Sequence, residues 1–279
     1  MSEEEHAQIG KHFGSIAKRT KKCAICGAEN APYGYWGKYY CKKCFFKKFH
    51  IDPDKVADKS GKGHSGMVPF KTKEELNKAL SQTFLVDSFP RPFLLKVPKG
   101  NKIFASLYLT HYPKSRGIVG RTINYLVIWK NKVAGIIGAN SAPYCVKPID
   151  KFFGITKENR NDMLLCIMNN EVFRLINNEH NLATKTLAIF RKVLQKDHIE
   201  KYGHPLIGLI TFVEPPRTGA IYKADNWTYL GMTKGYGTTR RGKRWWDRKW
   251  VQKQPKHIFA YKYRGKEIEK LIQKIQENA

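Results

Sequence analysis

The chain has 279 residues, 42% of them hydrophobic and 13% aromatic, which is enough to bury one substantial core beside a small accessory module and excludes disorder throughout. Its 51 lysines and arginines against 23 acids give a formal charge of +28, which points to a polyanionic partner, nucleic acid first, with structural RNA binding as the plainer use of the same charge. No run of about 18 apolar residues and no long basic amphipathic helix is present, so neither a helical membrane span nor a bilayer-surface helix is expected.

The first residues, MSEEEHAQIG, lack the basic and apolar regions of a secretory signal, and an intracellular, cytoplasmic protein is expected. In a reducing compartment the six cysteines are better suited to metal than to disulfides. Four of them form two tight pairs, Cys23-x2-Cys26 and Cys41-x2-Cys44, separated by fourteen residues. Two such knuckles supply four thiolates to one tetrahedral zinc, and a closed set of soft ligands makes the metal structural rather than catalytic. Lys42 and Lys43 stand among the cations and tyrosines of this module, residues 1–50, and are candidate nucleic-acid contacts; a solvated charged surface is the competing reading. Cys145 and Cys166 stand alone among apolar neighbours and are expected to be buried.

Residues 51–80 turn to Asp, Lys, Ser and Gly, as in DKSGKGHSG, and read as a linker with a short helix from about Lys73. From 81 to 233 strand-like runs are expected around Phe84 to Lys96 and Phe104 to Thr110. Thr122 to Trp129 and Val133 to Ala139 are expected to pair as a hairpin across Lys130, Asn131 and Lys132. A helix within Thr156 to Met168 and a strand around Val172 to Ile176 come next. A helix from about Leu182 follows, with Ala183, Leu187, Phe190 and Leu194 on one face. The strand Pro205 to Val213 and a short helix within Gly219 to Trp227 complete an α/β (α+β) domain with a mixed sheet flanked by helices.

Beyond it, 234–279 is a basic aromatic arm, a strand (HIFAYKY) and a last helix. Lys234 to Lys266 holds twelve cations and one acid. Arg240, Arg241, Lys243, Arg244, Arg248 and Lys249 are suited to phosphates, and Trp245 and Trp246 to stacking on an unpaired or extruded base. The bland alternative packs the two indoles under the last helix.

Two resemblances bear on function. GAIYKADNWTYLGMT resembles the closing segment of the GCN5-related N-acetyltransferase fold, where a helix tyrosine often protonates the departing thiolate of coenzyme A; Tyr222 is the matching position. A longer stretch, about Ser106 to Tyr263, resembles phage Mom-like DNA-modification proteins and the family of the Druantia protein DruA. It carries HYP at His111 to Pro113, NNEVFRLI, NLATKTL, TFVEPPRTGAIYKADNW and PKHIFAY. The resemblance implies a transferase of the GCN5-like fold that modifies a base in double-stranded DNA, the adenine exocyclic amine first, with an acyl-CoA or related donor. A non-catalytic DNA-binding component of a defence or mobile-element system is the alternative, as is an N-acetyltransferase for protein or RNA. The turn NNEHNLATKTL departs from the acetyltransferase pattern, having no glycines and an acid, Glu179, where a cation is usual. Asn181, Thr184 and Lys185 at the helix start are the residues left to hold a phosphate of the donor.

His111, Tyr112, Arg174, Glu214 and Tyr222 all fall at expected strand ends or turns, where an α/β sheet presents side chains to a cleft. They form a candidate set for acid–base work and substrate orientation. The same residue types suit a second metal, such as iron, near His111, Tyr112 and Glu214.

Overall fold

The computed structural model describes residues 22–29, 33–35, 38–40, 44, 67–86, 89–111, 118, 120–177, 179–238 and 250–278. The chain divides into two compact units, Met1–Lys59 with Lys201–Gly203 and Gly237–Val251, and Ser60–Glu200 with His204–Tyr236 and Gln252–Ala279.

In the smaller unit, β1 (Tyr33–Tyr35) and β2 (Lys38–Tyr40) pair antiparallel. Ahead of them the backbone turns through Cys23 to Ala28: Gly27 N donates to Cys23 O at 2.9 Å and Cys23 N to Ala28 O at 2.8 Å. Gly27 has φ 72°, which a glycine adopts without a Cβ penalty.

The larger unit is built on one seven-stranded sheet. Its strands are β3 (Phe93–Val97), β4 (Thr122–Trp129), β5 (Lys132–Ser141), β6 (Ile167–Leu175), β7 (Gly208–Val213), β8 (Thr228–Met232) and β11 (His257–Lys262). They lie in the order β3-β4-β5-β6-β7-β11-β8. β9 (Tyr236–Thr238) and β10 (Trp250–Gln252) form a separate two-stranded ladder. The β4–β5 turn is Lys130-Asn131, with φ of 49° and 61°, the left-handed pair that a two-residue hairpin requires. β11 lies between β7 and β8, so the C-terminal segment completes the sheet instead of appending to it.

The helices are α1 (Lys73–Leu80), α2 (Lys102–His111), α3 (Lys147–Phe153), α4 (Arg160–Leu165), α5 (Leu182–Tyr202), α6 (Ala220–Ala224) and α7 (Lys266–Glu277). α1 opens on a capping box in which Thr72 accepts from Glu75 N, and Ala79 sinks into the core with Ile103, so the larger unit begins before residue 81.

Where a strand is expected at Phe104 to Thr110, the chain forms α2. Asn101 caps it, accepting from Phe104 N at 2.9 Å with its side chain and from Ala105 N with its carbonyl. Phe104, Leu107 and Tyr108 then pack on Leu126, Ile128 and Val172 of the sheet, and this burial overrides the β preference of the sequence. The strand expected at Phe84 to Lys96 is the five residues of β3.

α1 and α2 cover one part of a sheet face. α3, α4 and α7 cover the rest of that face, around Ile167, Ile210 and Ile258. Tyr125 points the other way from Leu126 and meets Phe190 of α5 edge-on at 5.9 Å, so α5 covers the opposite face. Cys166 is buried as expected, but Cys145 is exposed, because Pro143-Tyr144-Cys145 forms the connection from β5 to α3.

Candidate active site

Within the seven-stranded sheet β6 and β7 are the one parallel pair, because α5 carries the chain back across the sheet between them. Their pairing covers Ile167↔Gly208, Met168↔Leu209 and Asn169↔Ile210 and then stops, while β6 stays with β5 and β7 with β11. A cleft of about 310 Å3 opens where the two strands part. Its walls include Asn170, Glu171 and Phe173 from β6, Thr211 to Val213 from β7, and His111, Arg217, Tyr222 and Lys256.

A bulge fixes the cleft's acid. Gly138 faces Val172 and Ala139 faces Asn170, so Glu171 is the extra residue of β6 at the bulge. A bulge at such a point bends the strand and re-aims the side chain. Asn169 Nδ2 donates to Glu171 Oε2 at 2.8 Å. Burial raises the Glu171 carboxyl above its ordinary value, opposed by the Asn169 hydrogen bond, the Lys256 charge and the Tyr108 hydroxyl. His111, the last residue of α2, moves the other way: burial lowers it, and the Arg217 and Arg174 cations lower it further. The cleft therefore holds a carboxylate made more basic and a neutral imidazole, both able to take a proton from a substrate.

Across the cleft stands Tyr222, 6% exposed, on α6. Gly219 starts that helix at φ 71°, and its carbonyl accepts from Tyr222 N; a Cβ there would sit 2.3 Å from the Phe259 ring. Only glycine meets both demands. The Tyr222 ring stacks on Phe259 at 5.7 Å and meets Trp227 edge-on at 5.0 Å. Its hydroxyl donates to Asn170 Oδ1 at 2.8 Å, and Thr211 Oγ1 donates to Asn170 O at 3.0 Å. Trp227 is held in turn by Asp225, which accepts its Nε1 at 2.9 Å and pairs bidentately with Arg191 at 2.8 Å and 2.8 Å. The segment around Asn226-Trp227 thus locks the tyrosine through an indole and a buried ion pair.

His111, Glu214 and Tyr222, each a candidate from the sequence, come together in the cleft. Glu214 sits at the mouth, its side chain 47% exposed, bonded to Lys256 Nζ at 3.1 Å. Arg174 lies beside the cleft rather than in its wall, donating to Leu107 O at 2.6 Å and so tying β6 to α2. Tyr112 lies outside the described residues. Glu171 was not singled out from the sequence as a catalytic residue; an acid amid the apolar positions of NNEVFRLI is the signal that marks it.

Asn181, Thr184 and Lys185 stand at the start of α5. Thr184 Oγ1 donates to Asn181 O, while Lys185 Nζ donates to Pro90 O at 3.3 Å and lies 5.6 Å from the Trp129 ring centre. Glu179 pairs with Lys130 at 3.1 Å. The side chains of Glu179, Thr184 and Lys185 thus already engage protein partners, and the backbone N–H groups of Leu182 and Lys185 donate to Glu179 O and Asn181 O.

In the smaller unit, the ligand atoms of Cys23, Cys26 and Cys44 lie within 4.8 Å of one another. Tetrahedral zinc with Zn–S bonds near 2.3 Å needs sulfurs roughly 3.8 Å apart, so the set fits that ion. Cys41 lies outside the described residues, as do Lys42, Lys43, Arg240, Arg241, Lys243, Arg244, Trp245, Trp246, Arg248 and Lys249. Among the described residues, this is the one group of three or more His, Cys, Asp or Glu close enough to share a metal, and His111 with Glu214 is not part of another. Among them, too, no helix is long and apolar enough to cross a membrane.

Comparison with curated proteins returned no match. Among solved structures, the chain is similar to RimL, a ribosomal-protein α-N-acetyltransferase in its apo form, at 10% identity and TM-score 0.37, over 63% of this chain and 96% of that one. A GNAT-family acetyltransferase from Elizabethkingia anophelis with acetyl-CoA bound matches at 9% identity and TM-score 0.36, over 62% and 99%. One from Streptococcus pneumoniae matches at 13% and 0.29, over 57% and 75%. The family model described as Druantia protein DruA matches residues 50–275, most of the chain and all of the sheet that forms the cleft, and the chain belongs to that family.

Proposed function

We propose that the cleft between β6 and β7 transfers an acyl-type group to an amine of a DNA base, the adenine exocyclic amine first. The observation that carries the reading is the opposed pair of proton-handling groups on the two sides of the parted strands. Glu171 and His111 take the proton that a weakly basic amine must lose as it attacks. Tyr222, held against Asn170, gives a proton to the leaving group of the donor. Arg217 and Lys256, both lining the cleft, supply positive charge for an anionic donor or a DNA phosphate. When a coenzyme A thioester is the donor, it supplies the activated carbonyl, and Asn181, Thr184, Lys185 and the first turn of α5 are the residues to meet its phosphates.

The net charge of +28 supports DNA as the polyanion. In this reading Lys42, Lys43 and the cations and indoles of 240–249 grip the duplex, an indole helps to extrude the base, and the zinc-bound cysteines fold the knuckle that presents the lysines. The test is mass spectrometry of nucleosides from DNA of cells producing the protein. A new adduct on deoxyadenosine supports the reading, and unmodified DNA in the presence of folded protein and its natural donor removes it.

The engaged side chains at the start of α5 favour a second reading, a DNA-binding defence component without transfer activity. Salt-sensitive DNA binding together with biological activity unaffected by both Tyr222→Phe and Glu171→Gln supports that one. Turnover of acetyl-CoA on a protein or RNA amine, with DNA inert, supports an N-acetyltransferase instead.

A further inference from the structure

β8 is an edge strand of the sheet, and the chain leaving it toward β9 stays paired with the chain that returns to β11. Thr233 N donates to Lys256 O at 2.8 Å and Lys256 N donates to Thr233 Oγ1 at 2.9 Å. Lys253 N then donates to Gly235 O. This ribbon is rooted at the catalytic cleft, because Lys256 lines it. Along the ribbon stand rings and a thioether that a soluble sheet edge has no structural reason to show: Tyr229 is 44% exposed, Met232 43% and Tyr236 65%.

Tyr229 has partners at both ends of its side chain. Its hydroxyl lies 3.1 Å from His257 Nδ1, and its ring lies 5.2 Å from Phe259, the ring on which Tyr222 stacks. The cations Lys223, Lys234, Lys253 and Lys256 belong to the same stretch, with Lys223 Nζ 5.7 Å from the Tyr229 ring centre. Among the described residues of this stretch the acid is Asp225, which is buried on Arg191 and adds no exposed negative charge. Lys256 is paired with Glu214, whereas Lys223, Lys234 and Lys253 have no ion pair among the described residues. Exposed aromatic faces among these lysines suit a partner with flat rings and phosphates. A duplex hides its ring faces by stacking, whereas an unpaired strand presents them.

We infer that the β8 ribbon, with Tyr229 and Tyr236 as stacking platforms and Lys223, Lys234 and Lys253 as phosphate contacts, binds an unpaired strand of DNA beside the cleft. This rests on DNA being the substrate of the cleft, and it specifies the form in which the substrate arrives: locally unpaired, with neighbours of the target base stacked on the ribbon. Tyr222, Phe259 and Tyr229 make a continuous series of rings from the catalytic phenol to the surface, so a strand on the ribbon is adjacent to the chemistry.

The test is fluorescence anisotropy of the full-length protein with a labelled 16-nucleotide DNA strand, its duplex and the RNA of the same sequence, across a series of salt concentrations. Tyr229→Ala and Tyr236→Ala each weaken the single strand by about five-fold or more, the lower end of what one stacked base contributes, and weaken the duplex less. Tyr229→Phe and Tyr236→Phe keep the ring and restore binding, an outcome that a contribution from the hydroxyls does not produce. The salt slope is unchanged in the tyrosine variants and falls by about 0.7 in Lys234→Ala, because only the lysine displaces a counterion. Tyr236 is exposed, so its variant separates binding from folding, and a thermal melt matching wild type confirms it. Equal loss for duplex and single strand, no loss in either alanine variant, or tighter binding of RNA than of DNA overturns the inference. In the first two cases the proposed transferase activity stands, whereas no binding to any nucleic acid removes that activity as well.

Discussion

Replacing Tyr222 with Phe removes one oxygen and leaves the ring between Phe259 and Trp227. The lost group donates at 2.8 Å to Asn170 Oδ1, on a side chain 3% exposed, so the variant leaves a buried acceptor without that donor. Such a loss costs about 1 to 3 kcal/mol. For a unit of this size each kcal/mol lowers Tm by roughly 2 to 4 °C, giving a total of about 2 to 12 °C. The effect on chemistry is of another order, because loss of a positioned proton donor lowers a rate by about 100- to 10,000-fold. The two consequences separate when modified nucleoside is measured as an initial rate well below the Tm of the variant. A rate within about three-fold of wild type, far less than a proton donor contributes, shows that the phenol holds Asn170 and does not act on the substrate.

Glu171→Gln abolishes proton acceptance at the bulge while keeping a hydrogen-bonding side chain. Since burial raises the native carboxyl above its unfolded value, the native state binds more protons between those two values and stability falls as pH rises through that window. The glutamine variant is therefore at least as stable as wild type in thermal melts at neutral pH, though inactive; a large loss of Tm contradicts this. For His111 the sign is opposite: its lowered value means that stability is full above the ordinary histidine range and is lost as pH falls through the native value. Arg217→Ala, which removes a cation, moves the histidine titration upward by NMR, and an unmoved titration counts against the pairing of these groups. Arg191→Ala leaves buried Asp225 without its guanidinium and costs roughly 3 to 5 kcal/mol in denaturant melts, against little change if solvent replaces the pair. Metal analysis of purified protein is expected to find one zinc per chain, lost in Cys23→Ser; retention of full zinc in that variant contradicts a four-thiolate site.

Much of this architecture is legible because local signals agree with tertiary demands. Lys130-Asn131 marks the hairpin, Thr72 with Glu75 marks the start of α1, and the apolar face through Leu187, Phe190 and Leu194 marks α5. α2 is not legible, since Phe104 to Thr110 is rich in residues that suit a strand; a cap from Asn101 and a sheet waiting to be covered decide it. The insertion of β11 between β7 and β8 is a matter of pairing across the sheet, which no local pattern reports.

The candidate site divides along the same line. Tyr222 lies three residues after Gly219, where left-handed backbone and the Phe259 ring together leave no room for a Cβ, so sequence and geometry coincide there. Glu171 depends on a bulge set by how β5 and β6 register, and a bulge has no sequence of its own. Glu214 is the conspicuous acid in the sequence because it precedes two prolines, yet it lies at the mouth in a pair with Lys256 while Glu171 occupies the buried wall.

The central claim, that the parted strands house a transferase acting on a DNA base, is tested most directly by nucleoside mass spectrometry on DNA from cells producing wild type, Tyr222→Phe or Glu171→Gln at equal levels of folded protein. A deoxyadenosine adduct that is abundant with wild type and absent or strongly reduced with both variants is the predicted result. An adduct of equal abundance in all three, or none in any of them, contradicts it.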